Sequence, residues 1–129
     1  MILTRRHLPA LLLKPQDPAP VVLCPAPENE ASLVTLPNGV IRLFYMKRGE
    51  AVCSIDTTNE GETWTAERRE FPVPGPTAHA CVAMLDSRRE LHVFFLVIRG
   101  TGTRLNIDRF IDIWHASTTN ARWQPPRRI

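Results

Sequence analysis

Two carboxylates, Glu28 and Glu30, sit either side of Asn29 directly ahead of an apolar run beginning at Ala31. Placed there, they can act as a general base. Arg48, Arg99 and Arg104 lie on polar links, and a guanidinium offers a planar carboxylate two parallel N–H bonds. His79 can carry a proton near neutral pH, and Asp108 closes the second of these links. The chemistry these types suggest is recognition of a substrate bearing an anionic group. Metal chemistry is not expected, because Cys24, Cys53 and Cys81 have no CxxC spacing and no matching His cluster; they read as reduced, mostly buried thiols. Cofactors are not indicated either. The chain has no Gly-x-Ser-x-Gly elbow, P-loop, Rossmann glycine fingerprint or His-Glu-x-x-His, and Gly100-Thr101-Gly102 reads as a flexible loop.

Composition narrows the partners. A net charge of +3 is spread over scattered pairs such as Arg5-Arg6 and Arg88-Arg89, without the run of basic residues that marks a nucleic-acid or polybasic membrane patch. The apolar stretch 8–13 carries Pro9 and is shorter than a signal peptide requires, and nothing approaches a membrane span, so a cytoplasmic location is expected. With 43% hydrophobic and 22% charged residues, the chain is a globular one.

The elements that must position these side chains are strands. Pro outnumbers Gly 12 to 6 and falls in clusters, which disfavours long helices. The run from Ala31 to Met46 recurs from Ala80 to Leu96, each an apolar strand, a polar turn and a second strand of the form apolar-basic-apolar-Phe-aromatic-apolar. Pro37-Asn38-Gly39 is a tight-turn signal, since Asn and Gly accept the positive φ that hairpins need. Both units continue with a third strand, at 51–57 and 111–117, then a polar turn and a Trp that opens a fourth segment, Trp64 and Trp123. Four-stranded units at this spacing are the signature of β-propeller blades. The candidate residues fall on one rim of such blades, before each first strand and between the second and third strands.

The turn Thr57-Thr58-Asn59-Glu60-Gly61-Glu62-Thr63-Trp64 resembles the Asp-box, or BNR repeat, of the sialidase superfamily, with the pattern Ser/Thr-x-Asp-x-Gly-x-Thr-Trp and Asn59 standing for the Asp. Ser117 to Trp123 keeps the flanks, drops a residue and lacks the Gly, a degenerate box. The resemblance covers roughly residues 28–129. It implies an all-β, partial sialidase-like β-propeller of two four-stranded antiparallel blades: residues 28–76 with the box and 77–129 with the degenerate one. The Pro-rich segment 1–27 then supplies a remnant outer strand of a preceding blade. Thr57, Asn59, Gly61, Thr63 and Trp64 are structural in that family, on the rim opposite the candidate site.

The resemblance further implies a sialidase-like exo-glycosidase, acting on or binding a terminal, acidic sugar. In that family arginines hold the sugar carboxylate, a Tyr paired with a Glu is the nucleophile, and an Asp is the acid/base. By their place on that rim, Glu28 and Glu30 are the catalytic candidates, and Arg48, His79, Arg99, Arg104 and Asp108 the substrate-binding ones. The chain departs from the pattern: the Phe/Tyr-Arg-Ile-Pro motif is absent, and its single Tyr, Tyr45, lies inside a strand and reads as core. The alternative is a non-catalytic Asp-box module for glycan or protein binding. Two blades leave sheet faces open, so self-association, for example three units closing a six-bladed ring, or further blades, is expected.

Overall fold

The first hairpin closes where the sequence demands it. Leu36 N–H donates to Val40 O (2.8 Å), Gly39 N–H donates to Leu36 O (2.9 Å), and Gly39 adopts a φ of 84°. The computed structural model describes residues 30–100 and 110–129 and contains no helix among them. Strands β1 (Ala31–Thr35), β2 (Ile41–Lys47), β3 (Ala51–Thr57) and β4 (Arg68–Pro72) form one antiparallel sheet in chain order. Strands β5 (Ala78–Leu85), β6 (Leu91–Arg99) and β7 (Phe110–Thr119) form the second, completed by β8 (Arg122–Trp123) and β9 (Arg127–Arg128), both paired to β7. The expected second unit of four strands therefore has five. Pro125 and Pro126 cannot donate to a ladder, so the fourth strand breaks into two short pieces around them. The remnant strand expected within 1–27 lies outside the described residues.

The sheets pack face to face. Phe44, Met46, Val52 and Phe71 of the first meet Ala83, Leu91, Val93, Phe95 and Val97 of the second in one core, joined by Trp123. Phe71 lies 4.8 Å from the Trp123 ring and 6.1 Å from Phe95, and Trp123 meets Phe44 edge-on at 6.2 Å, arrangements that add to simple burial. On the far side of the first sheet, Leu43, Tyr45, Ala51, Cys53 and Ile55 form a second buried cluster against Trp64.

The stacking has a direction. Asp86 N–H donates to Glu90 O (2.9 Å) and Arg89 N–H to Asp86 O (3.0 Å), the same two bonds as in the first hairpin about fifty residues earlier. Phe44 and Phe94 are thus equivalent, as are Arg42 and His92. Side chains alternate along a strand, so the face that the first sheet presents to the second corresponds to the outer face of the second. That outer face is open: Val82 is 61% exposed, Met84 50%, Ile111 62% and Ile113 47%. Among the described residues no helix is long and apolar enough to cross a membrane.

Candidate functional site

The turn after β3 is closed by its own side chains. Thr57 Oγ1 accepts from Gly61 N–H (2.9 Å) and donates to Asn59 Oδ1 (2.9 Å). Asn59 Oδ1 also accepts from Thr63 N–H (3.0 Å), and its amide donates to Thr63 Oγ1 (2.9 Å). Gly61 adopts a φ of 90°, and its carbonyl accepts from Trp64 Nε1 (3.1 Å), which pins the indole over the cluster of Tyr45 and Cys53. All five residues singled out from the sequence thus act on the turn itself. The second unit closes differently: Asn120 and Ala121, at φ 51° and 61°, make a two-residue turn that leads straight into β8. Trp64 does not open the fourth strand as expected; it lies in the turn, and β4 begins at Arg68.

On the opposite rim, the link between β2 and β3 abuts the link into β5. A Cβ on Gly49 (φ 71°) would sit 2.9 Å from Pro76 Cα, and Val73 N–H donates to Glu50 O (3.2 Å). Arg48 is exposed on the first of these links. Glu30 is exposed immediately before β1, whose Ala31 pairs with Tyr45, so it stands beside the rim end of β2. His79 is half-buried at the start of β5, its Nδ1 2.9 Å from Thr77 O, so Nδ1 carries the proton and donates. Glu30, Arg48 and His79 therefore share neighbouring links. Arg99 is drawn elsewhere: its guanidinium grips Asp112 through two nitrogens and lies 5.9 Å above the Phe110 ring. Glu28, Arg104 and Asp108 lie outside the described residues. Tyr45 donates its hydroxyl to Glu67, whose other oxygen accepts from Lys47 (3.0 Å), and these bonds hold the Glu67 carboxyl below the usual range. At 1% exposure Tyr45 is a core residue.

A cleft of about 390 Å³ opens between the sheets on the turn rim, lined by Arg42, Glu70, Arg89 and Trp123 among others. Its floor is a bonded network. Arg42 holds both oxygens of Asp56 (2.8 and 2.9 Å), Arg68 reaches Asp56 (2.9 Å) and Ser54 (3.1 Å), and Trp123 Nε1 donates to Glu70 (2.9 Å), tying one sheet to the other. The bond from Arg42, and then that from Arg68, keep Asp56 below the ordinary carboxylate range against the opposing effect of burial.

One group escaped sequence reasoning. His92 on β6 is half-buried and bonded at both ring nitrogens: Nε2 lies 3.0 Å from Asp86 Oδ2, and Nδ1 2.9 Å from His115 Nε2. Only the register of β6 against β7 brings the two histidines together, and the link of about ten residues between those strands left that register unfixed by sequence. No known family model matches the chain, and no curated protein is significantly similar to it. Among the described residues no cluster of three His, Cys, Asp or Glu side chains is arranged to hold a metal ion.

Proposed function

We propose that this chain is a pair of sialidase-like propeller blades that binds a terminal acidic sugar on the rim carrying Glu30, Arg48 and His79, without hydrolysing it. The observation that carries the reading is an Asp-box-like turn, closed by Thr57, Asn59 and Trp64, within two antiparallel sheets stacked in a single direction. Binding is favoured over hydrolysis by the state of the rim. Glycosidases need two groups flanking the scissile bond. Here Tyr45 is buried, Glu67 is tied to Tyr45 and Lys47, and Arg99 is committed to Asp112.

Titrating the full chain with sialyllactose, followed by amide NMR, should shift resonances of residues 48–50 and 77–79, with Arg48→Ala weakening binding about tenfold, the loss of one charge-assisted contact. A methylumbelliferyl sialoside should release no fluorophore. Turnover abolished by Glu30→Gln would make this an enzyme, and no binding at either rim would end the carbohydrate reading.

The apolar part of the open outer face, Val82 and Met84 on β5 with Ile111 and Ile113 at the far end of β7, takes a second copy of the chain. Its counterpart on the first sheet is already covered, by the second sheet, and the same arrangement of apolar residues asks for the same kind of partner.

A further inference from the structure

On the outer face of the second sheet, β9 lays Arg127 directly opposite His115, and β7 continues from His115 to Ser117 and Thr119. Cross-strand partners on one face stand about 5 Å apart at Cβ. These four side chains, with Gln124 and Pro125, line a cleft of about 380 Å³. Its polar groups are hydroxyls, an amide, an imidazole and a guanidinium, and among the described residues no carboxylate lines it. Among the described residues no carboxylate pairs with Arg127, whereas its neighbour Arg128 faces the other way to Asp112 (3.7 Å).

Behind the cleft runs the chain Asp86–His92–His115. An ionised carboxylate only accepts, so His92 Nε2 must carry the proton that Asp86 receives. In the neutral ring Nδ1 is then the acceptor, so His115 Nε2 donates to it, and His115 Nδ1 is left with a free lone pair. The hydrogen bonds thus fix one tautomer throughout and leave His115 one nitrogen able to take up a proton. The His115 ring is also held by stacking on Phe94, with centroids 4.7 Å apart.

We propose that this cleft is a binding site for a small oxyanion, a sulfate, phosphate or carboxylate group, taken up together with a proton on His115. Arg127 supplies the permanent charge, and Ser117 and Thr119 supply hydroxyl donors. The charged and titratable groups facing His115 are His92 on β6, Asp86 on the hairpin before it and Arg127 on β9. Burial first, then His92 and Arg127, lower the basicity of His115 in the empty cleft. An anion between His115 and Arg127 offsets their mutual repulsion and raises that basicity again. Binding therefore takes up a proton, and affinity rises as pH falls. The site is separate from the sugar-binding rim and does not depend on that reading.

Sulfate, which does not titrate in this range, is the probe. Titrated into the full chain at pH 7.5 and pH 5.5 with amide and imidazole NMR, it should shift residues 115–119 and 127 and bind about tenfold tighter at the lower pH, within the ceiling of tenfold per pH unit for one coupled proton. Arg127→Gln should weaken it about tenfold. His115→Gln should retain weaker binding but lose the pH dependence, which a merely structural histidine would not do. Glucuronate binding tighter than sulfate, on the same resonances, would identify a sugar acid as the source of the anion; sulfate the tighter would point to an ester or a free ion. Equal sulfate affinity at both pH values, unchanged affinity in Arg127→Gln, or no saturable shift at residues 115–119 overturns the proposal.

Discussion

At the scale of single residues, the molecule spends its charged groups on bonds between its own strands. Asp56, with its side chain 12% exposed, is held by Arg42 and Arg68. Its carboxyl is depressed relative to the unfolded chain, so its contribution is complete above the ordinary aspartate value near 4 and is lost as pH falls through the lower folded value. The wild-type chain should therefore lose stability steeply below about pH 4, while Asp56→Asn should be flatter there and less stable at pH 7 by roughly 3 kcal/mol, because Arg42 loses its carboxylate partner and Arg68 one of its own. Urea midpoints across pH check both slopes. Asp56 had no role in the sequence reading, since its partners lie across two strand pairings that no spacing reveals. By contrast Thr57, Asn59, Gly61 and Trp64 were legible, because all their bonds close within one short turn.

At the scale of elements, local chemistry predicts what is local. The hairpin at Pro37-Asn38-Gly39 and the strands that flank it were readable because a tight turn fixes the register of both. Less readable was the end of the second unit, where the Asn120-Ala121 turn and the Pro125-Pro126 break divide one expected strand into β8 and β9. It is β9 that delivers Arg127 to His115, so the cleft there was hidden with it. Ala121 occupies the second position of a turn that asks for positive φ, at 61°, where an L side chain is strained by about 1–2 kcal/mol. Ala121→Gly should therefore stabilise the chain by about 1 kcal/mol, raising the melting temperature by a few degrees. An unchanged or lower melting temperature would mean that this turn is not closed as described.

At the scale of the whole molecule, the two described sheets stack in one direction. Leu43, Tyr45, Cys53 and Ile55 are buried on the far side of the first sheet, while Val82, Met84, Ile111 and Ile113 stand open on the far side of the second. Sequence conveyed the repeat that makes such stacking necessary, through the matched hairpins and the two Phe-aromatic strands. It could not convey which face stays open, because that depends on how the sheets are set against each other. Sheet-on-sheet association becomes stable when roughly 800 Å² a side is buried. The most direct measurement is light scattering on the purified full chain beside the variant Ile111→Lys/Ile113→Lys. The account predicts a mass at a multiple of 14.6 kDa for the wild type and a folded monomer for the variant. A wild-type chain that is monomeric at high concentration and melts cooperatively would contradict it.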